Sequence, residues 1–152
     1  QRSFTRKIAS MEGLNYWERL SSLRLYSVQR RWERYVIIYV FKIIHDLVPN
    51  CGLSFQENPR TGIHAIVPRL KCNLSSHLKK LKSNSFNHIA PMLYNILPTD
   101  MRYIYTTSDP LATFKNDLDT LLSTIPDEPT VSGLVRSAKT NSLLHQMPSY
   151  IV

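Results

Sequence analysis

Between Ser27 and Pro49, apolar and aromatic side chains fall at Val28, Trp32, Tyr35/Val36, Tyr39/Val40, Ile43/Ile44 and Leu47. Spacings of three and four residues sustained over about five turns belong to a helix, because an ordinary strand of about 5–6 residues ends long before such a pattern could repeat. The period predicts a helix over 28–47, with Ser27 as its N-cap and Pro49 as its stop, although its middle is rich in β-branched residues. At 1.5 Å per residue it is about 30 Å long, and the rest of a 152-residue chain must be arranged around it. Ile37, Ile38 and Phe41 point to the other side, so the middle is apolar nearly all round and needs cover on two faces. The second cover comes either from this domain or from a partner.

Other helices announce themselves by their caps. Asn15 followed by Glu18 is a capping-box pattern for a helix reaching about Leu23. Phe4, Ile8 and Met11 keep helical spacing over 2–12, ahead of Gly13. A helix is expected over 86–96, ended by Pro98, with Pro91 kinking it or marking its first turn. Ser108 or Asp109 caps a helix that begins with Pro110 and carries Leu111, Phe114, Leu118, Leu121 and Leu122 as its apolar stripe. From 49 to 84, Pro49, Gly52, Pro59, Gly62 and Pro68 interrupt any period, and the β-prone stretches 63–67 and 69–74 predict a loop with a small β element. Beyond Ile125 no period survives, and 126–152 is expected to be a flexible tail. The expected architecture is mostly α: a small helical bundle over 1–125 with a minor β-hairpin.

The chain carries 19 Lys and Arg against 11 Asp and Glu, a formal net charge of +8. The excess sits in the first two thirds, at +5 over residues 1–50, +4 over 51–100 and −1 over 101–152. Such a field favours polyanionic partners. On the long helix Arg30, Arg31, Arg34 and Lys42 fall within about 120° of one another, opposite Val28, Tyr39 and Ile43. With Arg24 nearby, the stripe is either a phosphate-binding face, whose Trp and Tyr neighbours stack on bases, or a plain solvated one. Lys79, Lys80 and Lys82 form a second cluster, open to the same two readings.

Little else points to chemistry. Cys51 and Cys72 are the only cysteines, which allows one bridge at most and fits a reducing compartment, cytoplasm or nucleus. Cys72-x4-His77 is half a zinc knuckle with no second cysteine close by, and His45 reads as a cation at a helix C-terminus or as a surface residue. Asp117 and Asp119 lie about 200° apart on a helix and cannot share a metal. Glu57, Asp100 and Asp109 are isolated, and four glycines form no phosphate loop. The longest apolar run, Tyr35-Val36-Ile37-Ile38-Tyr39-Val40-Phe41, is far shorter than the ~20 residues of a membrane span.

One string of residues carries a family likeness. Ser85-Phe86, Ala90-Pro91, Leu93-Tyr94-Asn95, Leu97-Pro98, Met101-Arg102, Phe114-Lys115 and Leu118 resemble a pattern found near the C-terminus of reverse transcriptases of non-LTR, LINE-type, jockey-like retrotransposons. Gln1-Arg2, Phe4-Thr5-Arg6, Glu18-Arg19-Leu20, Arg30-Arg31 and Lys42-Ile43-Ile44 are similar to that family's preceding segment, and Thr61-Gly62-Ile63-His64 to its TRGH element. Tyr94 stands where the family pattern has Trp, and Met92 where a basic residue is common. The resemblance covers about residues 1–125. It implies a parent RNA-directed DNA polymerase whose catalytic aspartates and Mg²⁺ belong to an upstream palm, and a C-terminal, thumb-like fragment that holds template and primer and packs on palm and fingers. No catalytic residue carries over, since this sequence has no Asp-Asp pair, and no cofactor, small-molecule substrate or membrane is expected for the segment itself. The rival expectation is a decayed or host-retained docking domain that binds protein through Ile37, Ile38 and Phe41 and no nucleic acid.

Overall fold

The computed structural model describes residues 1–8, 11–129 and 141–146. Its elements are α1 (Arg2–Thr5), α2 (Tyr16–Ser22), α3 (Val28–Ile44), β1 (Phe55–Asn58), β2 (Gly62–Ala65), α4 (Ser76–Ser83), α5 (Phe86–Asn95), a 3₁₀ turn (Thr99–Arg102), α6 (Pro110–Ser123) and α7 (Leu143–Gln146). The protein is mostly helical, with one small antiparallel hairpin. The caps lie where the side-chain chemistry put them. Asn15 accepts from the Trp17 and Glu18 amides while Glu18 accepts from the Asn15 amide, Ser27 accepts from the Arg30 amide, and Asp109 accepts from the Ala112 amide with Pro110 in the first turn.

Helix α3 packs on both α5 and α6. Ile37, Val40 and Phe41 meet Leu93 and Tyr94 of α5 and Phe114, Leu118 and Leu122 of α6 in one apolar core. The Phe41 and Phe114 rings stack with centroids 4.0 Å apart, and Tyr105 stands edge-on to both. Burying each such side chain contributes about 1.5–3 kcal/mol. With Ile37, Ile38 and Phe41 covered inside the chain, the docking surface they were expected to form does not exist.

The N-terminal half of the same buried face is polar. Arg30 and Glu33 are 0% and 1% exposed. The Arg30 guanidinium donates to the Pro126 carbonyl at 3.1 Å and to Gln146 Oε1 at 2.5 Å, with Asp127 at 3.7 Å. Glu33 accepts from the Ser142 hydroxyl at 2.6 Å and the Leu143 amide at 3.0 Å, capping α7. Asp127 accepts from the Ser27 amide and hydroxyl, and Asn141 donates to both Ser27 and Asp127. The expected flexible tail from 126 is therefore corrected for 126–129 and 141–146, which are tied to α3 because a buried guanidinium and a buried carboxylate need partners. Residues 130–140 and 147–152 of that tail lie outside the described residues.

Three further expectations shift. The first helix stops at Thr5 rather than 12. The hairpin pairs Gly62–Ala65 upstream with Phe55–Asn58, in the register Phe55↔Ala65 and Asn58↔Gly62, so 69–74 is not a strand. Pro68 breaks the chain after β2, and the Asn58 side chain closes the turn by accepting the Arg60 amide. Helix α4 forms where only loop and β were expected, capped by Ser75. Of the two places expected for Pro91, inside the helix or in its first turn, it takes the first, in the second half of α5.

Replacing Arg30 with Met should lower unfolding stability by about 3–5 kcal/mol, the usual cost of removing one partner from a buried ionic network. Arg31→Ala, one residue away on the solvent side, should change it by about 0.5 kcal/mol or less. Urea unfolding checks both, and an Arg30→Met chain as stable as the parent would remove this network from the fold.

Candidate nucleic-acid interface

Burial divides the eight cations singled out in the sequence. Arg30 is consumed as described and cannot touch a phosphate. Arg34 is also removed from the stripe: its Nε and Nη2 each lie 2.6 Å from an Asp119 oxygen, a bidentate pair between α3 and α6. That hydrogen-bonded carboxylate raises the guanidinium pKa above its ordinary value. Arg24 is exposed, at φ 51°, on the rim of a groove whose other charged side chains, Glu18, Asp127 and Glu128, are acidic, although among the described residues no carboxylate lies within 4.0 Å of it. Arg31, Lys80 and Lys82 are exposed, Lys42 and Lys79 half-buried, and among the described residues none of these five has a carboxylate within 4.0 Å.

The two faces of α3 are the reverse of what the basic stripe suggested. Val28, Trp32, Tyr35 and Tyr39 lie on the solvent side, at 59%, 43%, 63% and 37% exposure. Counted at 100° per residue, the four fall within about 60°, with Arg31 and Lys42 along one edge. Tyr39 is braced by the Phe86 ring, edge-on at 5.6 Å, and the Arg34 guanidinium sits 5.9 Å from the Tyr35 ring centre. Helix α4 ends at Ser83, three residues before Phe86, so the second lysine cluster leads directly to the Tyr39 end of this face. All of α4 is unburied, with Leu78 and Leu81 exposed beside its lysines. The sequence contains the signal: Val28, Trp32, Tyr35 and Tyr39 follow i, i+4, i+7, i+11, the spacing of one helix face.

The residues carrying the family likeness are structural. Pro91, Leu93, Tyr94, Leu97 and Phe114 are buried, Phe86 and Pro98 are half-buried, and Lys115 stands half-exposed on α6. The Asn95 amide fastens α5 to the hairpin, donating to the Ala65 carbonyl at 2.7 Å and accepting the Ala65 amide at 2.9 Å. Arg102 is buried against His64, with Nη1 2.7 Å from Nε2, and Thr61 Oγ1 lies 2.9 Å from the same nitrogen. Gly62, at φ +73°, allows this approach, since a Cβ there would meet the Arg102 carbonyl oxygen at 2.7 Å. The two separate strings, around Thr61-Gly62-Ile63-His64 and around Asn95 and Arg102, are thus one joint between the hairpin and the α5 turn.

Asp119 is held by Arg34, and Asp117 accepts the Tyr105 hydroxyl at 2.9 Å. Among the described residues no three His, Cys, Asp or Glu side chains converge on one point. Among them, too, no helix is long and apolar enough to cross a membrane. Compared with protein-family models, with curated proteins and with solved structures, the chain has no match.

His64 carries a pH dependence. Burial and then the Arg102 charge hold its pKa below the ordinary histidine value of 6.5, and burial does the same for His45. With the folded pKa below the unfolded one, stability is fully present above about 6.5 and is lost as pH falls through the folded value, because protonation sets His64 against Arg102. Urea unfolding between about pH 7.5 and 5 should show the decline. His64→Gln, which keeps an acceptor for Arg102, should flatten it, and an identical profile in that variant would contradict the assignment.

Proposed function

We propose that this chain is a non-catalytic, thumb-like C-terminal segment of a non-LTR retrotransposon reverse transcriptase, which holds template or primer nucleic acid beside the polymerase core. The observation that carries this reading is that Arg31, Lys80 and Lys82 are exposed and Lys42 and Lys79 half-buried on α3 and α4, and that among the described residues none of the five has a carboxylate partner. Cations left unneutralised in this way attract phosphates and release their counterions. The resemblance supplies the parent's activity and compartment: an RNA-directed DNA polymerase using Mg²⁺ at its own palm, working inside the cell in cytoplasm or nucleus. Two exposed free cysteines fit that reducing setting.

Binding should be weak, tolerant of sequence and steeply salt-dependent. Changing Lys79, Lys80 and Lys82 together to Ala should flatten the log-affinity against log-salt slope by about 2 on a single strand and nearly 3 on duplex DNA, at roughly 0.7 and 0.9 per phosphate. Arg24→Ala should leave the slope unchanged. Fluorescence anisotropy against labelled RNA and DNA measures both, and no binding by the parent chain at low salt would refute the reading.

A further inference from the structure

The solvent face of α3 selects among nucleic acids. We infer that Trp32, Tyr35 and Tyr39 form a stacking platform for the bases of a single strand, with Arg31 and Lys42 taking its phosphates. This deepens, and rests on, the nucleic-acid reading above.

Three aromatic rings standing out of one helix face are costly to leave in water, and each offers a flat π-surface to a partner. Two features favour a nucleic acid as that partner. Among the described residues the cations along the edge of the face have no carboxylate within 4.0 Å, so the face complements a chain that pairs apolar planes with negative charge. Two of the rings also have neighbours beside them. Tyr39 leans on Phe86, and Tyr35 neighbours a guanidinium fixed by two 2.6 Å bonds to Asp119. Arg34, nominated as a phosphate ligand, is in this arrangement a positioning residue for Tyr35.

Spacing separates single strand from duplex. At 1.5 Å per residue the three rings follow one another by about 4.5 and 6 Å along the axis. The axial rise per nucleotide on a stacked duplex strand is about 3.4 Å, and there the base faces are hidden inside the stack. Bases splayed apart, one to a ring, match the platform, whereas a duplex offers it only backbone. Arg31 and Lys42, eleven residues apart on the same edge, lie about 16 Å apart and bracket that run of bases.

The test uses the full chain, with Trp17→Phe so that Trp32 is the sole tryptophan emitter. It is titrated with an oligouridylate of about ten nucleotides, a length within the usual site size for single-strand binders, and with a blunt duplex of the same length. The single strand should quench Trp32 and bind more tightly than the duplex at equal salt. Trp32→Ala and Tyr35→Ala should each weaken single-strand binding roughly tenfold with the salt slope unchanged, because stacking releases no counterions, and Trp32→Phe should keep most of the affinity. Arg31→Ala with Lys42→Ala should instead lower the slope by about 1.4. Circular dichroism identical to the parent's establishes that these surface variants are folded. Tight single-strand binding with Trp32 emission unmoved, or unaltered affinity in both aromatic variants, overturns the platform while leaving the nucleic-acid reading to the lysines of α4. Absence of binding to either oligonucleotide at low salt overturns both. Self-association abolished by Trp32→Ala, without oligonucleotide binding, assigns the face to a second copy of the chain.

Discussion

A guanidinium and a carboxylate on the buried side of α3 dictate how this chain is assembled. Arg30 and Glu33 sit one turn apart, out of reach of water, and each would cost several kcal/mol if left without partners. Their partners come from residues 96 to 116 positions away: the Pro126 carbonyl and Gln146 for Arg30, Ser142 and the Leu143 amide for Glu33. The network therefore brings the far end of the sequence back onto the start of the central helix and fixes which side of that helix faces in. With Arg30 and Glu33 inward, Val28, Trp32 and Tyr35 must face out. The exposed aromatic face is a consequence of the buried ionic one.

Much of this was legible in the sequence, and the rest failed for definable reasons. The capping residues Asn15, Ser27 and Asp109 act locally, within three residues of what they bind, and each was readable directly. The orientation of α3 was not. Its middle is apolar all round, so the 3.6-residue period fits equally well with Tyr39 or with Ile37 inward, and charge alone favours Arg30 outward. Charge misled because a buried ion pair is stabilised by long-range partners, which no periodicity reveals. The same long range hid the docking of Asp127 and of 141–146, whose sequence shows only polar residues with scattered leucines. Helix α4 was missed because its stripe, Leu78 and Leu81, is short and faces solvent, although Ser75 stood ready as its cap.

The residues that carry the family likeness gain a physical account. Asn95 mimics a strand by offering one acceptor and one donor to Ala65, and Gly62 admits the backbone of Arg102 at a distance no other residue would permit. These contacts hold the hairpin to α5 and thereby hold Phe86, at the head of α5, against Tyr39. A motif of packing residues and a surface of aromatic and basic ones are in this way mechanically linked, the first supporting the second from behind.

In the proposed role one helix divides its labour, its buried face closing the fold and its aromatic face meeting a single strand. Ultraviolet crosslinking of the full chain to a single-stranded oligonucleotide, mapped to individual residues by mass spectrometry, tests this most directly. Adducts concentrated on Trp32, Tyr35 and Tyr39 are the predicted result. Adducts on Tyr103 and Tyr105, on the far side near α6, with α3 unmodified, would contradict it.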